Sequence, residues 1–564
     1  MSFFVNPLNS RFDKWLGGHN YCNKAGVSVY NGINSQRLRN TTVSDLALQR
    51  AASDPDREII LLEDERPITN AAIVLEAQQL AAGLQRLGMT TGDVISFQLP
   101  SWREAVAIDL AASMLGLVVN PIIPIYRERE LRFILGDAQT RLLFIPQTFR
   151  SVDYPNMIAS LRHELPDLEH VVVVRGAANG DRLTGQNNPQ LDYHTLTDSN
   201  TTDLKTTAVD PDSLKVLMYT SGTTGTPKAV MHSHNSLARA IDNTLEAWRL
   251  GGDDLMLMPS PVTHITGYVN GIELPFFSDV KTLLMTQWQV ARAAELIERH
   301  AATLCISATP FLQELVDHAE QHDDDLSSLR LFACGGAAVP PELIRRVPKS
   351  LDQCRAFRVY GSTEVPLVTT GFTRPEQLEL AATTDGKISN WQVRVVDAEG
   401  RDMAAGQDGE LWIRGPAMML GYKDSAQTAV AMTEGYFHTG DIGHITTDNA
   451  VVITDRKKDL IIRGGENISA KEVEDVLHDH PRIREAAVVA MPHQRLGEGV
   501  CAYLVLDGSA PDDALIDSKA LQPHLSDAGL ARQKWPEKVV LMDNFERTAS
   551  GKIRKDVLRA KLAN

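Results

Sequence analysis

Cysteine is scarce and net positive charge is lacking in this chain, and each lack removes a class of function. Only five cysteines, at 22, 305, 334, 354 and 501, occur in 564 residues. They are odd in number, far apart and lack zinc-site spacing, so neither a disulfide framework nor a structural metal is implied; reduced thiols fit a cytoplasmic protein. A formal charge of -16 argues against a general nucleic-acid binder, which needs a basic face. Long hydrophobic runs are missing as well. The most apolar stretch, AVAIDLAASMLGLVV at 105–119, is too short to span a bilayer and carries Asp109 in its interior, so it reads as a buried helix leading into a strand. The opening residues, MSFFVNPLNSRFDKWLGG, contain no basic leader into a secretory core, and export is not expected. There is no fixed-period repeat, which disfavours a solenoid.

What the chain does have is 43% hydrophobic residues, enough for a large core and more than one domain. From about residue 70 it alternates between two periodicities. Ile73, Ala77, Leu80, Leu84 and Leu87 recur at helical spacing before the strand-like VISFQLP at 94–100. WREAVAIDLAASMLG then leads to VVNPIIP, and RERELRFILGDA to RLLFIP. Strand alternating with helix predicts a mainly parallel sheet covered on both faces. Residues 175–212, rich in Asn, Asp, Gly and Thr, read as a surface excursion. Past it, KVLMYT is a short strand, and Leu237, Ala240, Ile241, Thr244, Leu245 and Trp248 mark a helix behind a candidate Asn235 cap.

Between that strand and that helix lies YTSGTTGTPK, residues 219–228. Glycines let backbone N–H groups converge on an anion, hydroxyls add donors and a lysine adds a mobile charge, which together describe a polyphosphate cradle. A flexible linker has similar composition but gives no reason for the Pro227-Lys228 ending. The ATPase phosphate loop, G-x-x-x-x-G-K-[ST], does not fit, because Gly222 and Gly225 are too close and Pro227 precedes Lys228. Near residue 456 the texture changes to a charge cluster, DRKKD. It is followed by LIIRGGENISAKEVEDVL with capping-box spacing at Ser469 and Glu472, three strand-like runs (AAVVAMP, VCAYLVL, KVVLMD) and a basic tail. This is the pattern of a small α+β domain with a hinge at the charge cluster.

Six motifs occur in order: TSGTTGTPK (220–228), VYGSTE (359–364), GELWIRGPAMMLGY (409–422), GYFHTGD (435–441), DRKKDLIIRGGENIS (455–469) and SGKIRK (550–555). In these the chain resembles the adenylate-forming enzymes, which include acyl-CoA synthetases and the adenylation domains of nonribosomal peptide synthetases. The texture is most like short- and medium-chain acyl-CoA synthetases and alicyclic-acid CoA ligases. The resemblance implies an α/β fold: a large N-terminal domain, 1–456, of mixed or parallel sheets layered with helices, and a small mobile α+β C-terminal domain, 457–564, hinged near Lys458. It also implies a reaction in two halves, in which ATP and a carboxylate give an acyl-adenylate and pyrophosphate, and CoA then takes the acyl group.

The same resemblance assigns residues. Thr220, Ser221, Gly222, Thr223, Thr224, Gly225 and Lys228 would embrace the β- and γ-phosphates. Glu364 would help hold magnesium, with the Thr220 hydroxyl as a second oxygen. Gly335, Gly336, Ala337 and Tyr360 would border the adenine, Thr363 the α-phosphate, and Asp441 and Arg456 the ribose, with Gly361 also among the nucleotide-binding residues. Lys552 would bridge the carboxylate and α-phosphate, and His264 would position the acid. Gly464 and Gly465 would let the pantetheine arm pass. Alone, Glu364 and Lys552 would read as solvated charges, Tyr360 as core and His264 as a packed histidine. His232 and His234 form an H-x-H pair, two ligands without a third and so a poor metal site. Tyr436 stands where relatives often carry tryptophan, and Asn390-Trp391 where Pro-Gly is common.

The expected partners are a small carboxylic acid, ATP and CoA, with no nucleic acid and no transmembrane segment; a homodimer stays open. Apolar content near His264 and Tyr268, at 307–312 and at 335–339 suggests a hydrophobic acyl group: medium-chain fatty, alicyclic or steroid side chain. Two other readings stand beside the ligase, an adenylating enzyme with a carrier-protein acceptor and a catalytically silent nucleotide-binding module. Lys552 and Glu364 weigh against the last, since a sensor needs neither.

Overall fold

The computed structural model describes residues 40–176, 190–220, 227–337, 339–463, 466–507, 516–547 and 552–562. Two largely parallel sheets form the body. In the first, Val118–Pro121, Val94–Phe97, Leu142–Pro146 and His170–Val174 run parallel beside Leu214–Thr220. In the second, Arg355–Val359, Leu331–Gly335, Leu304–Ser307, Leu255–Met258, Lys281–Leu284 and Glu58–Leu62 are all parallel neighbours. Each parallel connection needs a crossover, and the helices that the apolar spacing marks supply it. Asn70–Arg86, Arg103–Leu115 and Glu128–Asp137 stand within a few residues of their expected bounds.

The helix Arg103–Leu115 is buried along nearly its whole length. It shares one continuous core with both sheets, which is why its sequence is apolar all round rather than striped. Truncating a fully buried side chain there, such as Ile108 or Leu110, removes about 2–5 kcal/mol. Among the described residues no helix is long and apolar enough to cross a membrane.

Two features depart from the sequence reading. Residues after the glycine- and threonine-rich loop do not enter a helix directly. Lys228–Ser233 first returns as a strand antiparallel to Leu214–Thr220, so that Thr220 and Lys228 face each other across the ladder. The following helix, His234–Trp248, is therefore capped by Ser233, whose hydroxyl accepts from Ser236 N; Asn235 lies inside the first turn and bonds Asp212 instead. A third sheet, wholly antiparallel, also intervenes at Gln392–Val396, Gly409–Arg414, Met432–Thr433, Tyr436–Ile445 and Val451–Arg456.

The last sheet, Ile461–Arg463, Glu466–Ile468, Ile483–His493, Gly497–Leu506 and Lys538–Leu541, has its own cores on its two faces. Ser469 caps its helix Ala470–His478 by accepting from Glu472 N at 3.0 Å. The Glu472 carboxylate does not reach back to complete a capping box; it pairs with Lys534 at 2.7 Å. A large α/β body with mixed sheets and a smaller C-terminal domain is thus the architecture.

Candidate active site

Ligands of open α/β sheets bind outside the carboxyl ends of parallel strands. Here those ends, at Ser307, Gly335 and Val359, open onto a cavity of about 2900 Å3 that continues between the body and the last sheet. Thr220, Lys228, His264, Gly335, Gly336, Ala337, Tyr360, Gly361, Thr363, Glu364, Asp441, Arg456 and Lys552 all line it. Ser221, Gly222, Thr223, Thr224 and Gly225, and likewise Gly464 and Gly465, lie outside the described residues.

One corner suits a pair of hydroxyls. Asp441 and Arg456 are cross-strand partners in the third sheet, and the Arg456 Nε donates to Asp441 Oδ1 at 2.7 Å. The other carboxylate oxygen accepts from the Tyr360 hydroxyl at 2.6 Å. Burial and the Asp441 charge push the Tyr360 phenol well above its ordinary pKa, so it stays a donor. Beside this corner the backbone is open for a flat group. A Cβ on Gly335 would sit 2.4 Å from the Val359 carbonyl, so only glycine allows these strand ends to approach. Gly336 has φ +79°, where L side chains are strained.

The opposite end collects groups for phosphate. Glu364 Oε1 accepts from the Tyr422 hydroxyl at 2.8 Å, and Lys228 Nζ lies 4.9 Å from the centre of the same ring. Tyr422 belongs to the strand Gly421–Tyr422, which pairs with Lys228–Ser233 and brings the tyrosine between carboxylate and lysine. The buried His232 donates from Nε2 to the Thr363 carbonyl at 2.7 Å, while its Nδ1 meets the Ser236 hydroxyl at 3.0 Å. Burial lowers its pKa to about 4, so it is neutral and serves as a strut behind Thr363. His232 is thus packing, and its neighbour His234 is buried in the first turn of the helix His234–Trp248.

Lys552 enters the cavity from the C-terminal domain. Burial, followed by repulsion from Arg456, lowers its pKa to about 8, with Asp441 and Glu364 partly offsetting both. The ammonium group therefore lies within electrostatic reach of Asp441 and Glu364 together. His264 is held at about 4 by burial and by the Lys552 charge; it is neutral at pH 7 and cannot act as a general acid there.

Around Lys458 the third sheet leads into the last one. Asp455 accepts from Arg456 N and Ala470 N at 2.5 and 2.7 Å, and Ser469 Oγ donates to the Thr454 carbonyl at 2.7 Å. Lys555 pairs with Glu474 at 2.7 Å, and Arg559 with Asp459.

Sequence reasoning missed a fully buried charge cluster behind the cavity. Lys215 Nζ lies 2.8 Å from Asp109 Oδ1, 2.9 Å from Glu273 Oε1 and 3.1 Å from the Tyr268 hydroxyl, which itself donates to Asp109. The cluster ties the strand Leu214–Thr220 and the helix Arg103–Leu115 to a π-helical turn, Tyr268–Glu273, two of whose residues, Val269 and Asn270, face the cavity. The signal for it is a charge inside an apolar run, at Asp109 and again at Lys215. Tyr422 was also missed, although it ends the motif GELWIRGPAMMLGY.

Comparison with known proteins gives the same picture. A family model described as AMP-binding enzyme matches residues 48–423, and one described as AMP-binding enzyme C-terminal domain matches 472–552. The chain is 34% identical over 522 residues to the medium-chain fatty-acid–CoA ligase of Escherichia coli strain K12, covering 92% of this chain and 90% of that one. It is 30% identical over 528 residues to the 3-[(3aS,4S,7aS)-7a-methyl-1,5-dioxo-octahydro-1H-inden-4-yl]propanoyl:CoA ligase of Rhodococcus jostii strain RHA1, covering 92% and 98%. Among solved structures, ATP-bound MatB from Rhodopseudomonas palustris superposes with a TM-score of 0.80 at 25% identity, covering 92% of this chain and 99% of that one. With both family models matched in order and relatives similar along nine-tenths of its length, the chain belongs to the AMP-binding enzyme family.

Proposed function

We propose that the cavity joins a hydrophobic carboxylic acid to CoA, converting ATP to AMP and pyrophosphate through an acyl-adenylate. In the first half a carboxylate oxygen attacks the α-phosphorus and the bond to pyrophosphate breaks. Two anions must approach, so positioning and charge neutralisation supply most of the acceleration. Lys552 carries that neutralisation between carboxylate and α-phosphate, Asp441 and Arg456 hold the ribose, Tyr360 and the Gly335–Ala337 backbone flank the adenine, and Lys228 meets the departing pyrophosphate. In the second half the CoA sulfur attacks the acyl carbon, AMP leaves and the thiol proton passes to solvent. No protein nucleophile is required.

Glu364 and the Thr220 hydroxyl are hard oxygen donors but too few to form a metal cage of their own. That donor set fits magnesium arriving on ATP with its waters, where it would supply further neutralisation of the phosphates. The acid class follows from the apolar lining and from the relatives, whose names specify a medium-chain fatty acid and a propanoyl group on a bicyclic ring. We place the domain boundary at 456/457 with Lys458 as the hinge, and the enzyme in the cytoplasm with its ATP and CoA.

The single observation that carries this reading is that Lys552 of the last sheet's domain lines the same cavity as Asp441 and Glu364. A panel of aliphatic, alicyclic, aromatic and sterol-derived acids, assayed for CoA-dependent AMP release, tests it; failure with every class rejects the ligase. Lys552→Ala should abolish adenylation while largely sparing thioester formation from supplied acyl-adenylate, and equal loss of both steps contradicts the assigned role.

A further inference from the structure

One carboxylate pins the strands of the phosphate end from behind. Tyr219 pairs with Ala229, and Val230 with Tyr422, so the register puts Tyr219, Ala229 and Lys423 in one cross-strand row. The Lys423 N–H completes that row by donating to the Ala229 carbonyl at 2.9 Å. Successive side chains on a strand point to opposite faces. Thr220, Lys228 and Tyr422, the neighbours of the row, line the cavity. Tyr219 and Ala229 instead share a core with Leu131, Ile134 and Leu135 of the helix Glu128–Asp137. Asp137 ends that helix. Its Oδ2 accepts from the Tyr219 hydroxyl at 2.5 Å, and its Oδ1 lies 3.3 Å from Lys423 Nζ. The small side chain of Ala229, in the middle of the row, leaves room for the carboxylate to bridge the strands on either side. Burial and the Asp137 charge push the Tyr219 phenol well above its ordinary pKa, so it remains a donor.

Resting on the acid–CoA ligase reading, we propose that Asp137 is a positioning residue for the half-reaction that releases pyrophosphate: by holding Tyr219 and Lys423 it fixes the spacing of Thr220, Lys228 and Tyr422. Each of these three is the chain neighbour of a residue in the pinned row. The edge strand Gly421–Tyr422 is only two residues long, so its ladder supplies few bonds and side-chain ties decide its place. A shift of that strand carries the Tyr422 hydroxyl away from Glu364 and the Tyr422 ring away from Lys228. Misplacement by about 1 Å is enough to cost on the order of a hundredfold in a reaction that depends on positioning. The effect is confined to one half of the reaction. Acyl transfer to CoA follows the departure of pyrophosphate and makes no use of the groups that Asp137 spaces.

The experiment measures the two halves separately in the full-length enzyme, as ATP–pyrophosphate exchange and as thioester formation from supplied acyl-adenylate and CoA. Asp137→Ala should slow exchange by about tenfold or more and raise KM for pyrophosphate, while thioester formation stays within about twofold of wild type. Asp137→Asn keeps an oxygen for the Tyr219 hydroxyl but loses the charge that holds Lys423, and should recover part of the exchange rate. An equal fall in both halves would show that Asp137 merely supports the fold, and overturns the inference. So does exchange that is unchanged in folded Asp137→Ala. Where that variant does not fold, Tyr219→Phe decides: it deletes only the hydroxyl, keeps the ring packed, and should slow exchange several-fold with thioester formation spared. If the wild-type enzyme forms no thioester from any acyl-adenylate, the ligase reading itself fails.

Discussion

Lys552 should take up a proton when ATP binds. In the nucleotide-free cleft its pKa is lowered from 10.5 to about 8, chiefly by burial and by Arg456. Between those two values the inserted lysine binds fewer protons than a solvated one, so the inserted state is penalised fully below pH 8 and is relieved as pH rises toward 10.5. At neutral pH the penalty is no more than about 3.4 kcal/mol, and less to the extent that solvent screens this partly exposed group, since each tenfold change in proton affinity corresponds to about 1.36 kcal/mol. Phosphate oxygens reverse the balance by holding the ammonium form. At pH 8 about half of the free enzyme lacks that proton, so binding a non-hydrolysable ATP analogue should take up about 0.5 proton per site, falling to about 0.1 at pH 7. Calorimetric titration in buffers of different ionisation enthalpy reads the number directly. Lys552→Met removes the titrating group while keeping much of the apolar stem, and uptake at pH 8 should drop by that half proton. Equal uptake by wild type and Lys552→Met would refute the reasoning.

Three further outcomes follow from named contacts. Lys215→Met leaves Asp109 and Glu273 buried without their cation and should cost about 3–5 kcal/mol, seen as a fall of several degrees in the thermal midpoint; unchanged melting would show that the cluster carries no stability. Tyr422→Phe deletes the bond to Glu364 and should slow ATP–pyrophosphate exchange about tenfold while raising the magnesium needed for half-maximal rate. Asp441→Ala removes the partner of both Arg456 and Tyr360, and KM for ATP should rise by about a hundredfold with KM for the acid little changed. A parallel rise in both constants would place Asp441 outside the ribose corner.

The parts of this site legible in the sequence are those written in contiguous residues. A strand ending in Thr220, a run ending in Glu364 and a helix capped by Ser469 are local statements, and apolar period and capping chemistry carry them. The unreadable parts depend on which strand lies beside which. Nothing near residue 364 announces that Tyr422, 58 positions away, will bond Glu364, because that contact exists only once Gly421–Tyr422 joins the edge of the first sheet. Lys215 is similar: within KVLMYT it looks like a strand's solvent-facing residue, and only the helix bearing Asp109, 106 positions earlier, makes its burial tolerable. The strand Lys228–Ser233 is obscured because six residues cannot declare a period while the helix behind them declares one strongly. Asn390 shows the converse. Its φ of +61° lies in the left-handed region, which asparagine tolerates but which proline, the residue common at that place and fixed near φ of about −65°, cannot adopt, so the departure goes with a different local backbone.

The charge arrangement also indicates why one cleft can serve two reactions in turn. Lys228, Arg456, Lys458 and Lys552 converge on the cavity, and the negative charge acting on Lys552 comes from Asp441 and Glu364. Asp441 is already bonded to Arg456 and Tyr360, and the attraction of Asp441 and Glu364 for Lys552 is outweighed by burial and by Arg456, which lower its pKa. The triphosphate and the substrate carboxylate correct that imbalance, which favours the lysine-inserted orientation while ATP is intact. Once pyrophosphate departs, most of the added negative charge leaves with it, and the adenylate retains a single phosphate charge. Repulsion from Arg456 and the cost of burial then act again on Lys552, which would favour its withdrawal if, as we propose, the C-terminal domain turns about Lys458 to admit the thiol. On this account the depressed pKa and the proposed domain rotation would share one cause, and the Lys552→Met enzyme should bind adenylate without preferring either orientation.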